Sequence, residues 1–124
     1  MIVLDTSMLV EGLGAGGSMR LALRDALVAR QRILLPTLVL YEWLRGPRIQ
    51  AELEAQEALF PAAEALPFGL AEARIAAELY RELPRPRGRE VDLAIAACAL
   101  SHDAMLWTLN PNDFRDVPGL RLWE

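Results

Sequence analysis

Apolar and polar positions alternate along the chain in two rhythms, and the switch between them recurs from the N-terminus onward. Ile2 to Asp5 is a short β-branched and aliphatic run ending in an acid, the pattern of a buried strand. Thr6 and Ser7 then offer helix-capping hydroxyls ahead of Met8 to Glu11. After the glycines at 12, 14, 16 and 17, Ser18 is expected to cap a segment with apolar residues at 19, 22, 23, 26 and 27. This is helical spacing, with Arg20, Arg24 and Asp25 on the wet face. A second strand is expected over Arg32 to Leu35. It runs into Pro36-Thr37 and a helix that carries Glu42 and stops at Gly46-Pro47.

From Arg48 to Leu66, apolar residues at 49, 53, 59, 62, 63 and 66 lie among glutamates, predicting an amphipathic helix or helix pair broken near Pro61. Leu66 to Phe68 is an extended link with the character of a strand. Leu70 to Leu83 is a further amphipathic helix ending at Pro84, and Pro84 to Arg89 is a loop rich in Pro, Gly and Arg. Glu90 to His102 is apolar almost all round and rich in Ala, which predicts a buried helix that neighbours approach closely. Met105 to Thr108 is a strand, Asn110 to Asp113 a turn or short helix start, and Leu120 to Trp123 a last strand. Strands alternating with helices imply right-handed crossovers and an α/β protein with a mostly parallel central sheet. Such sheets place their ligand sites beyond the carboxyl ends of the strands.

The length of 124 residues suits one domain spanning residues 1–124. With 53% hydrophobic and 24% charged residues, the chain has apolar surface enough to fold. No window approaches the ~20 apolar residues of a membrane span, and Met1 to Leu4 lacks the features of a signal peptide. A cytoplasmic location is expected. Cys98 and His102 are each the sole residue of their type, which excludes an internal disulfide and zinc-finger clusters. Ala96, Ala97 and Ala99 around Cys98 suggest an inert buried thiol. The net charge of −4 argues against bulk electrostatic binding of nucleic acid. All thirteen basic residues are Arg, a bias that codon usage in a GC-rich genome would produce, although Arg also offers bidentate donors to phosphate and carboxylate.

Carboxylates are left to carry any chemistry. Asp5 follows Ile2-Val3-Leu4, Glu42 lies among Leu38, Val39, Leu40, Tyr41, Trp43 and Leu44, and Asp92 opens the Ala-rich helix. Each acid taken singly has a structural explanation, such as the favourable position of Asp92 in a helix first turn. Three carboxylates brought to one sheet edge repel unless a hard cation lies among them, and oxygen-only ligands suit Mg²⁺ or Mn²⁺. Such a site performs phosphoryl chemistry.

Asp5-Thr6-Ser7, Glu42 in the helix after the second strand, Asp92 to Ala97, and Leu106 to Phe114 together resemble a PIN domain of the VapC toxin type. The resemblance implies a PIN-like α/β/α sandwich and a Mg²⁺- or Mn²⁺-dependent endoribonuclease cleaving RNA. It further implies a small antitoxin partner, repressor DNA bound through that antitoxin, and a homodimer. By the match, Asp5, Glu42 and Asp92 take the catalytic metal-ligand positions, with Thr6, Ser7 and Thr108 as supporting hydroxyls. Asn110 departs from the pattern, since many relatives carry a fourth acid there. Asn110 offers a neutral carbonyl oxygen, and if residues 110–113 form one helical turn, Asp113 shares its face and supplies the missing charge.

Arg85, Arg87 and Arg89 rim the predicted site on their loop and are candidate contacts for RNA phosphates. Tyr41, Trp43 and Leu44, with Leu9, Val10 and Leu13, form a candidate apolar patch for a partner helix or a second copy. A second reading of the same residues is a PIN-like docking module without turnover, favoured by Asn110 and opposed by the intact set of three acids. A phosphatase-like or receiver-like domain also places acids at strand ends, but usually needs a Lys, and the chain has none.

Overall fold

Central to the architecture is β1 (Ile2–Leu4), three residues that are all fully buried because the sheet's two faces are both covered by helices. The computed structural model describes residues 1–124. It shows an α/β/α fold of three strands and six α-helices, with strand order β2-β1-β3. β2 is Ile33–Leu34 and β3 is Met105–Trp107. Both pair with β1 in parallel, Ile2 lying opposite Ile33 on one side and Met105 on the other. All three strands therefore end at the same edge. The Asp5 amide extends the pairing by donating to the Trp107 carbonyl at 2.9 Å.

Helices α1 (Thr6–Leu13) and α2 (Arg20–Val28) link β1 to β2. Next come α3 (Thr37–Arg45), α4 (Gln50–Leu59), a short 3₁₀ turn at Ala62–Glu64 and α5 (Leu70–Glu82). The last helix is α6 (Glu90–Ser101), with every residue from Leu93 to Ala99 buried. Its alanines leave room for close approach, and it packs against α5, α3, β1 and β3. One hydrophobic cluster runs from Ile2 to Val117 and includes Trp43, Leu106 and Phe114.

Boundaries differ from the pattern-based expectation where local capping decides them. Asp5, rather than Thr6 or Ser7, is the N-cap of α1, because its carboxylate reaches the Thr6 amide at 2.8 Å. Ser18 does not cap α2: its hydroxyl and amide both turn to Glu11, and Met19 takes the cap position with no side-chain bond. The expected last strand at 120–123 shrinks to one parallel bridge between Leu106 and Leu122. The extended link at 66–68 contributes a single bridge, Leu66 to Pro36. Each has too few paired residues to count as a strand, and at the Leu66 bridge Pro36 and Pro67 remove donors.

Candidate metal centre at the carboxyl edge of the sheet

Asp5 arrives at the site because β1 ends there and α1 starts without a loop between them. Its side chain is only 5% exposed, and both oxygens are occupied by donors. Oδ1 accepts from the Thr6 amide at 2.8 Å, and Oδ2 accepts from the hydroxyls of Thr108 at 2.6 Å and Ser7 at 3.1 Å. Thr108 in turn accepts from the Asn110 amide at 3.0 Å, and Ser7 from the Leu109 amide at 3.1 Å. These bonds stitch the end of β3 to the start of α1 and fix the Asp5 rotamer. The three supporting hydroxyls expected from the sequence thus all touch the acids.

Glu42 comes from α3, one position before Trp43 and three after Val39, both fully buried. Those two residues bind that face of α3 to the core and leave Glu42 at its margin, with a side chain 19% exposed. Oε1 accepts from Thr6 Oγ1 at 2.5 Å, and Oε2 meets the Arg45 guanidinium at 3.4 Å. Arg45 also lies over the Tyr41 ring, 5.2 Å from its centroid.

Asp92 sits in the first turn of α6, half-buried, and is treated differently by its surroundings. Burial, then the carboxylates of Asp5, Asp113 and Glu42, push its carboxyl up to about 6. Arg89 opposes this with a smaller effect of the opposite sign. Asp5, Asp113 and Glu42 thus all lie near enough to Asp92 to raise it through space. Asp113 ends a 3₁₀ turn over Pro111–Asp113, and Asn110 is its N-cap residue. The side chains of both Asn110 and Asp113 are exposed, while Phe114 just behind them is buried and anchors the turn to the core.

As the side chains stand, no three acids close on a common point able to hold an ion, because Asp5 and Glu42 are turned toward hydroxyl and amide donors. The donor chemistry nevertheless fits a hard divalent cation. It is oxygen-only, rich in carboxylate, and includes one acid whose ionisation is suppressed by burial and by like charges that Arg89 offsets only in part.

The three loop arginines separate. Arg85 and Arg87 are exposed, whereas the Arg89 fork is engaged by Asp116 at 2.9 and 2.7 Å and by the Asp113 carbonyl at 3.0 Å. Sequence reading did not single out Asp116, whose role depends on a contact across 27 positions. The candidate patch around Trp43 is not a surface: Trp43 and Leu9 are fully buried in the core, and only Tyr41 and Leu44 are strongly exposed. Cys98 is buried, and burial pushes its thiol up to about 12. No helix is long and apolar enough to cross a membrane.

The PIN domain family model matches residues 2–120. The chain belongs to the PIN domain family. Among solved structures, it is similar to a chain of VapBC2 from Rickettsia felis bound to a DNA fragment from their promoter. That match has 23% identity and a TM-score of 0.76 over 99% of this chain and 98% of the other. A chain of DNA-bound VapBC from Salmonella typhimurium is 21% identical, with a TM-score of 0.74 over 98% and 96% of the two chains. A toxin–antitoxin complex from Klebsiella pneumoniae has a chain 23% identical, with a TM-score of 0.72 over 97% and 95%. At these identities the likeness establishes the PIN fold. No curated protein matches the sequence.

Proposed function

We infer that this PIN domain is a metal-dependent endoribonuclease and acts as the toxin of a toxin–antitoxin pair. The observation that carries the reading is Asp92, whose carboxyl is pushed up to about 6 by burial and by Asp5, Asp113 and Glu42 at the carboxyl edge of a parallel sheet. A site with that surplus of negative charge is one that a Mg²⁺ or Mn²⁺ ion relieves. PIN domains are generally nucleases, and the similar structures are described as VapBC or toxin–antitoxin complexes.

Asp5, Asp92, Glu42 and Asp113 would hold the metal, with Asn110 available as a neutral oxygen ligand. When bound, the ion supplies Lewis-acid polarisation of a phosphodiester and a water of lowered pKa. The chain's own part is orientation. Thr108 and Ser7 hold Asp5, and Thr6 holds Glu42. Arg85 and Arg87, exposed on the loop ahead of α6, offer guanidinium groups to RNA phosphates. The proposed partner is a small antitoxin, because the similar structures are VapBC or toxin–antitoxin complexes. An apolar groove of about 310 Å³ lined by Leu13, Leu23, Leu27, Val28 and Leu59 offers it a surface. Exposed Leu70, Tyr80 and Val91 on α5 and α6 are the apolar surface that a second copy of the chain would cover.

The test is cleavage of structured RNA by the pure protein with and without EDTA, repeated for Asp5→Asn, Glu42→Gln and Asp92→Asn. Cleavage that EDTA abolishes, Mn²⁺ restores and each substitution reduces at least a hundredfold supports the reading. EDTA-resistant cleavage by Asp5→Asn sinks it. One observation favours the docking-module alternative: both Asp5 oxygens are already satisfied by protein donors. Absence of any metal-dependent cleavage, together with retained antitoxin binding, would select that alternative.

A further inference from the structure

Arg89 closes the loop before α6, and its side chain is only 21% exposed. Its planar fork is spent entirely on the segment after β3. Both terminal nitrogens pair with the two Asp116 oxygens at 2.9 and 2.7 Å, and one also donates to the Asp113 carbonyl at 3.0 Å. This bidentate geometry is the strong form of the Arg–carboxylate pair. It holds the Asp116 carboxyl below the usual carboxylate range.

The segment it grips needs an external tie. The 3₁₀ turn over Pro111–Asp113 is three residues long, and two backbone bonds close it, Asp113 to Asn110 and Phe114 to Pro111, each at 3.0 Å. So short a turn does not hold its own shape. Phe114 and Val117 anchor it on the core side, but nothing apolar holds the outer side where Asp113 projects. Arg89 ties that outer side. Asp92 lies three residues after Arg89, on the same side of the first turn of α6.

The geometry points to Arg89 as a positioning residue that, through Asp116 and the Asp113 carbonyl, sets the Asp113 carboxylate against Asp92 in the metal centre. This rests on the nuclease reading above, in which those two acids are metal ligands. It also takes Arg89 out of the set of arginines available to RNA.

The test compares wild type, Arg89→Gln, Asp116→Asn and the double variant in three measurements: Mn²⁺ binding without RNA, ¹⁵N backbone order parameters, and affinity for a structured RNA in EDTA. Each single substitution is expected to weaken Mn²⁺ binding about tenfold, the low end for partners that orient metal ligands. Each should also drop Asn112 and Asp113 from the rigid range (~0.85) toward ~0.6, while Ile95 to Ala99 stay rigid. The double variant should be no worse than Arg89→Gln alone, because Asp116→Asn weakens only a pair that Arg89→Gln has already removed. Unchanged order parameters at Asn112 and Asp113, or losses that multiply in the double variant, overturn the proposal. So does an Asp116→Asn protein that binds RNA more tightly while Arg89→Gln binds it less, the signature of a phosphate-contacting Arg89. Should wild type bind no Mn²⁺, the nuclease reading fails, and the order parameters still decide whether Arg89 holds the turn.

Discussion

Thr6 Oγ1 donates a 2.5 Å hydrogen bond to Glu42 Oε1 across 36 positions of sequence. The bond ties the first turn of α1 to α3 and points one of the acids into the edge of the sheet. Hydrogen bonds to a charged acceptor contribute about 1.5–3 kcal/mol when shielded, and the partial exposure of Glu42 puts this one near the lower bound.

Thr6→Val, which keeps the shape and removes the hydroxyl, is therefore expected to lower unfolding free energy by about 1–1.5 kcal/mol. Urea denaturation at pH 7 measures this. Thr6→Ser should restore most of the loss, since the donor is retained. Equal destabilisation by Ser and Val would assign the effect to the methyl group's packing instead.

Asp92 gives the metal-free protein a stability that depends on pH. Its carboxyl titrates at about 6 in the fold and near ~3.9 in the unfolded chain. Below both values the group is protonated in both states and contributes nothing. Between them the folded state keeps a proton that the unfolded state has released, so stability falls as pH rises, and the full penalty is present above about 6. Discounted for partial solvent exposure, that penalty is about 1–2 kcal/mol. In EDTA, Asp92→Asn should raise Tm at pH 7.5 by several degrees and leave it unchanged at pH 3.5. A wild-type Tm at pH 7.5 that Asp92→Asn does not exceed would contradict the charge arrangement.

Asp113 is among the carboxylates that raise the Asp92 carboxyl. Asp113→Asn should lower the Asp92 titration midpoint, read by ¹³C NMR of the side-chain carboxyl, and weaken Mn²⁺ binding in calorimetry. Asn110→Asp adds a charge at the same turn and should strengthen it. Native affinity in the Asp113→Asn protein would leave the first three acids as the whole ligand set.

Cys98 should be silent toward thiol reagents in the folded state, being buried on α6 with a thiol pushed up to about 12. Labelling with a disulfide reagent at pH 8 is expected to occur only at the rate of global unfolding. Rapid labelling in native buffer would show that α6 opens locally.

The parts of this protein that its sequence determined are those set by local periodicity and chain punctuation. The strand-to-helix switch at Asp5, the stop of α3 at Gly46-Pro47, the arginine loop before Glu90 and the buried Ala-rich α6 all follow from patterns a few residues long. The resemblance carried by Asp5, Glu42, Asp92 and the segment from Leu106 to Phe114 pointed to the family that the match over residues 2–120 establishes.

The tertiary structure decided what depends on distant partners. Whether residues 120–123 form a strand rests on how much of β3 they can pair with, and only Leu122 does so. Whether Arg89 faces RNA or is held in place rests on Asp116, 27 residues away. Whether Trp43 is a docking residue or a core residue rests on what α3 is packed against. Hydrophobic period records that a side chain prefers burial and a charge prefers a partner. Which partner is within reach is a property of the folded chain, since contacts between distant residues exist only after folding has brought their elements together.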